Sequence, residues 1–175
     1  IPAIYGVDTR ELTKKLREKG SMLGKIIINE EDVELYDPNK VDLVNEVTIK
    51  KPIIYDKANN KGLIQNSSDK KDSFNRNKKL NNNNSIIDKI KNIKKNNKNK
   101  KVVVLIDCGA KNNIIRNLLK RDLAVVRVPY DYSFFNLDFD GIVISNGPGD
   151  PKMCRATIAN IKKAIEKEIP VFGIC

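Results

Sequence analysis

The sequence predicts an α/β fold. An open, mainly parallel sheet with flanking helices is preceded by part of a smaller α/β domain and a disordered Asn/Lys-rich insert. Three observations carry this expectation. Val102-Val103-Val104-Leu105-Ile106 is a continuous aliphatic run of the kind a strand buried on both faces requires. Beyond it, short apolar segments alternate with segments of helical spacing, which is the rhythm of βαβ units with right-handed crossovers. Between residues 56 and 101 the composition breaks from that on either side, with Asn and Lys making up 26 of 46 residues.

The elements follow in order. In residues 1–55, Thr9 is a plausible helix N-cap, Leu12 and Leu16 share a face, and Gly20 is a C-terminal stop. Lys25-Ile26-Ile27-Ile28 reads as a strand, Asp32–Tyr36 as a short turn or helix, and Ile53-Ile54-Tyr55 as an extended piece. In residues 102–175 the first strand is Val102–Ile106, and a helix over Asn112–Arg121 carries Ile114, Ile115, Leu118 and Leu119. Leu123–Val128 and Gly141–Ser145 are the next strands. Ile158, Ile161 and Ile165 mark one face of a helix ending near Glu168, and Pro170 opens a last strand reaching Cys175. In such a sheet, reactive groups gather at the carboxyl ends of the strands.

Charge separates the insert from the rest. The chain has 33 basic and 22 acidic residues, a net charge of +11. Residues 56–101 hold 14 basic and 4 acidic side chains, a surplus of ten, leaving 19 against 18 elsewhere. With few apolar residues the tract cannot offset the entropy of ordering its backbone, so it is expected to be a disordered spacer whose deletion leaves the parent activity near normal. Nucleic-acid binding usually adds aromatic or arginine platforms, and the tract has one Phe (Phe74) and one Arg (Arg76), so no nucleic-acid partner is expected. No apolar run approaches the ~20 residues of a membrane-spanning helix. The three cysteines, Cys108, Cys154 and Cys175, match neither a disulfide framework nor metal-ligand spacing, and sparse thiols fit a reducing, cytoplasmic setting. The chain opens at Ile1 and ends inside an apolar segment, as an internal fragment would.

Two features carry chemistry. Ser145-Asn146-Gly147-Pro148-Gly149-Asp150-Pro151 follows a strand directly. Such a string is most often only a turn, but its glycines also let backbone approach a ligand closely. Pro148 lacks an N–H, which leaves Gly147 and Gly149 as the donors for an oxyanion or a carboxylate. The second feature is Val171-Phe172-Gly173-Ile174-Cys175. A lone Cys after apolar residues is ordinarily a small buried hydrophobe. At the carboxyl end of a strand it is also placed as the nucleophile of an elbow turning into a helix. Gly149 and Cys175 are 26 residues apart, room for one loop and one crossover helix between neighbouring strands.

Together, Ser145–Pro151 and Pro170–Cys175 resemble the class I (triad) glutamine amidotransferase domain. Ile4–Thr13, Arg17–Gly20 and Asp42–Val47 resemble the small-subunit amino-terminal domain of glutamine-dependent carbamoyl-phosphate synthetase, and Ile106–Lys111 with Asn113-Ile114 fits the same family. The resemblance divides the chain into part of that amino-terminal domain (1–55), an insert (56–101) and the first half of an amidotransferase domain (102–175). It implies glutamine as substrate, Cys175 as the catalytic nucleophile that forms a γ-glutamyl thioester, and Gly147 and Gly149 as the glutamine-binding loop. It also implies a synthetase domain or subunit that receives the ammonia and carries the ATP and Mg2+ chemistry, with no cofactor in these residues. Asp107 and Lys111 are assigned structural or interfacial roles, and the Asp8-Thr9-Arg10 signature a capping and ion-pair role in the fold. The thiol needs a base, normally a His oriented by a carboxylate, and the sequence has no His. These residues alone are therefore expected to be inert, with an unfinished sheet edge. Rival readings are another class I amidotransferase, or a scaffold whose basic arm contacts nucleic acid.

Overall fold

The computed structural model describes residues 3–57 and 86–175, in two compact units, Ile1–Val41 and Asp42–Cys175.

In the first unit, helix α1 (Thr9–Lys19) starts one residue earlier than the Thr9 cap predicts. Asp8 is the cap, because its carboxylate reaches the Glu11 amide at 2.9 Å, while Thr9 is already helical. Gly20 ends the helix at φ 79°, a left-handed conformation suited to glycine, and its N–H bonds the Leu16 carbonyl. The expected strand at Lys25–Ile28 does not form: among the described residues its only ladder contact is a bridge from Ile28 to Glu31. Asn29 and Glu30, both at positive φ, turn the chain there. Asp32–Tyr36 is not helical either, and the next turn is a 3-10 segment at Pro38–Lys40 capped by Asp37.

The second unit is built on a five-stranded sheet. Its elements are α2 (Leu43–Val47), β1 (Ile53–Tyr55), α3 (Ile86–Asn96), β2 (Val102–Asp107), α4 (Asn112–Lys120), β3 (Ala124–Pro129), β4 (Gly141–Ile144), α5 (Arg155–Glu166) and β5 (Val171–Gly173). The strand order is β1-β3-β2-β4-β5, parallel except for β1, which runs antiparallel along β3. Residues 42–55, grouped on sequence with the amino-terminal region, thus pack with the sheet: α2 buries Val44, and β1 pairs Ile53–Tyr55 with Arg127–Val125.

Every residue of β2 is buried, as its aliphatic run requires. Val102, Val104 and Ile106 face one layer with Ile90 of α3 and Ala164 of α5, whereas Val103 and Leu105 face Ile115 and Leu119 of α4 on the other side. On α5 the inward residues are Thr157, Ile161 and Ala164. Ile158 and Ile165, expected on the core face, are 39% and 63% exposed, about a quarter turn away.

The insert is where expectation and structure differ most. Its residues 58–85 lie outside the described ones, but 86–101 are ordered. Ile90 of α3 is fully buried, with Ile86, Ile87 and Ile93 packed on the same cluster. Lys100 is buried too, its ammonium 2.7 Å from Asp122 and 3.4 Å from Asp56. Four isoleucines at helical spacing bury enough apolar surface to order a segment whose overall composition is polar.

Candidate active site

The topology decides where a site forms. From β2 the chain passes through α4 to β3 on one side; from β4 it passes through α5, on the opposite face, to β5 on the other side. The carboxyl ends of β2 and β4 therefore flank a topological switch point, the crevice where open α/β sheets bind ligands.

Two turns meet there. The first, after β2, is organised by Asp107, which is fully buried. Its Oδ1 accepts from the Gly109 and Ala110 amides (3.1 and 2.6 Å), and its Oδ2 accepts from the Ile49 amide at 2.8 Å and pairs with Arg127 Nη2 at 2.8 Å. A buried carboxylate thus has both oxygens satisfied. The second turn is Ser145–Asp150. Buried Ser145 accepts from the Cys108 amide through Oγ (2.9 Å) and donates from it to the Asn146 carbonyl (2.9 Å), joining the two turns. Gly147 lies so close to the first turn that an added Cβ would fall 2.1 Å from the Cys108 carbonyl oxygen, a position only glycine tolerates. Gly149 holds φ 78°. Asp150 then caps the 3-10 turn Pro151–Met153, which leads into α5.

Cys175 reaches the same edge from β5. Ile144 pairs with Gly173, and the Ile174 amide bonds the Ile144 carbonyl at 3.1 Å, so the glycine loop and Cys175 leave neighbouring parallel strands side by side. Cys175 is exposed and sits at φ 87°, a left-handed conformation that L-residues rarely adopt and that suits a nucleophile elbow. A groove of about 970 Å3 runs along β4 and β5 on the α4 face, lined by Ile114, Leu118, Val143, Phe172 and Ile174, and reaches the edge at Lys111 and Asn146.

Residues 104–175 match the family model for glutamine amidotransferase class-I. These residues belong to the class I glutamine amidotransferase family. Across its whole length the chain is 43% identical to the multifunctional protein CAD of Squalus acanthias, covering 6% of that protein. It is 38% identical to the arginine-specific small chain of carbamoyl phosphate synthase from Saccharomyces cerevisiae, covering all of this chain and 35% of that one. The mitochondrial carbamoyl-phosphate synthase [ammonia] of Rattus norvegicus is 38% identical over 99% of the chain and 9% of its own length. The chain thus spans between 6% and 35% of these relatives.

The other two thiols sit in settings that disfavour the thiolate. Cys108 and Cys154 are buried. Burial, then the neighbouring Cys154 and Asp107, push the Cys108 thiol up to about 12, and burial likewise raises Cys154. The sequence-predicted residues Gly147, Gly149 and Cys175 all come to one edge. Lys111 precedes α4 without a side-chain capping bond. Sequence reasoning did not single out Thr48, Arg127 and Tyr130, which tie the strand ends together. The one available signal was Asp42, a capping residue set before Leu43–Val47, whose Oδ1 accepts from the Asn45 amide at 3.1 Å.

Proposed function

We propose that this chain is the glutamine-hydrolysing part of a carbamoyl-phosphate synthase, with Cys175 as its nucleophile. The observation that carries the reading is the exposed Cys175, in a left-handed turn at the end of β5, beside the glycine loop that ends β4. The Cys175 thiolate attacks the side-chain carboxamide carbon of glutamine, and the carbonyl oxygen becomes an oxyanion that accepts from the Gly147 and Gly149 amides. Collapse expels ammonia, with its nitrogen taking up a proton, and leaves a γ-glutamyl thioester. Water then attacks the thioester, releasing glutamate and restoring the thiol. These 175 residues hold no histidine, so the proton transfers fall to a base outside them, and the chain alone is inert. Ammonia passes to a synthetase region, domain or subunit, where ATP and Mg2+ drive carbamoyl phosphate formation. The free thiols favour a reducing compartment such as the cytoplasm.

One relative is named for ammonia, so the nitrogen donor is the point to test. A thiol at position 175 favours glutamine. In the complete synthase, Cys175→Ala is expected to abolish carbamoyl phosphate formation from glutamine and to leave formation from ammonium chloride intact. Retention of the glutamine-dependent reaction would refute the assignment.

A further inference from the structure

We propose that residues 42–49 form a strap that positions the glycine loop, with Thr48 as its positioning residue; the proposal rests on the glutaminase reading above.

A loop with glycines at 147 and 149 is intrinsically mobile, because glycine loses the most backbone freedom on ordering. An oxyanion donor, in contrast, works only when held in place beforehand. Part of the restraint comes from the turn after β2, through the Cys108 amide bond to Ser145 and the Cys108 carbonyl pressed on Gly147. The rest comes from α2. Leu43 and Val47, one helical turn apart, each face one of the two turns: an added Cβ on Gly149 would lie 3.6 Å from the Leu43 side chain, and one on Gly109 would lie 3.3 Å from Val47 Cγ2 and 3.4 Å from Pro148 Cδ.

The strap is tied at both ends. At its start, Asp42 Oδ2 accepts from the Tyr130 hydroxyl at 2.6 Å. At its end, buried Thr48 donates through Oγ1 to the Asp107 carbonyl at 2.7 Å and accepts there from the Tyr130 amide at 3.3 Å, while the Ile49 amide bonds Asp107 Oδ2. The Tyr130 carbonyl accepts from Thr157 Oγ1 at 2.6 Å, which brings in the start of α5. A single hydroxyl thus joins the last carbonyl of β2 to the first amide past β3. Asp107 supports the Gly109 turn on which Gly147 rests, so a shift at Thr48 reaches the donor amides through two rigid contacts.

The test uses the complete synthase. Thr48→Val keeps the shape and removes both hydrogen bonds. Misplaced reacting groups and lost oxyanion donors cost about 10²-fold, and a partial displacement is expected to lower kcat for glutamine by roughly tenfold. KM for glutamine should stay within about twofold, because oxyanion contacts form in the transition state. The ammonia-dependent rate should not change, and Thr48→Ser should restore the glutamine rate. Full glutamine activity in Thr48→Val overturns the proposal. So does a parallel fall of the glutamine- and ammonia-dependent rates, or a failure of Thr48→Ser to rescue. Should Thr48→Val not fold, Leu43→Ala at a half-buried position decides: a selective fall in glutamine turnover supports the strap, and unchanged turnover overturns it. Failure of the glutaminase reading is distinct, because it shows as glutamine-dependent activity in Cys175→Ala.

Discussion

Cys108, Cys154 and Cys175 carry the same group in different surroundings. A thiol reacts as its thiolate, and burial disfavours the charged form. Cys108, pushed up to about 12, keeps its proton throughout neutral and mildly alkaline solution, and burial raises Cys154 in the same direction. Iodoacetamide applied to the native chain at pH 8 is therefore expected to alkylate exposed Cys175 and to reach Cys108 and Cys154 only after denaturation, as read by peptide mass spectrometry. Raising the pH to 9 should leave Cys108 protected, because its titration lies above that range. Alkylation of Cys108 at the rate of Cys175 would contradict the packing described.

Among the elements, α3 gives the sharpest prediction. Ile90 is fully buried in the cluster that α3 and α5 share with the sheet, so Ile90→Ala removes a core side chain and is expected to cost about 2–5 kcal/mol in urea unfolding. A loss below about 0.5 kcal/mol, the range of a surface change, would show that α3 does not pack as described. Deletion of 56–101, which an entirely disordered tract would tolerate, is now expected to uncover the sheet. The same element shows where sequence legibility ends. Ile86, Ile87, Ile90 and Ile93 stand at helical spacing, but they sit in a tract whose Asn and Lys content masks so short a stripe. The strands β2 and β4 are legible because burial on both faces demands aliphatic runs, β3 follows the same pattern apart from Arg127, and β5, whose Phe172 is exposed, is legible from the short apolar segment after Pro170. Helices α4 and α5 follow from spacing, although Ile158 and Ile165 point the α5 stripe about a quarter turn off, with the small residues Thr157 and Ala164 taking the inner face. Lys25–Ile28 has strand composition but no partner ladder among the described residues, and pairing is not a local property. At the site, Gly147, Gly149 and Cys175 are legible as motifs. The strap is not, since its hydrogen bonds join residues 42–49 to residues 107 and 130.

On the scale of the whole molecule, the amino edge of the sheet carries the charge network and the carboxyl edge the site. Burial opposes ionisation of Asp140, but the Val102 amide (2.8 Å), the Lys101 ammonium (3.1 Å) and the charge of Lys94 outweigh it and hold the carboxyl below its ordinary value. Lys100 similarly lowers exposed Asp122. A carboxyl whose folded value is depressed stabilises the fold above its unfolded value, here 3.8, and loses that contribution as pH falls through the folded one. The urea midpoint of the chain is thus expected to drop as pH falls below about 4, and Asp140→Asn to flatten that drop. An unchanged slope would remove Asp140 from the acid response. No helix among the described residues is long and apolar enough to cross a membrane.

The contact between Gly147 and Cys108 is lopsided in what it permits. Position 108 enters first through its main-chain oxygen, which every residue carries, while its side chain lies in the buried cluster beside Cys154 and Thr157. Position 147 enters through the absence of a side chain and has no substitute. Of two residues that meet in one place, one is free to drift within its size class, and the other has an alphabet of a single letter.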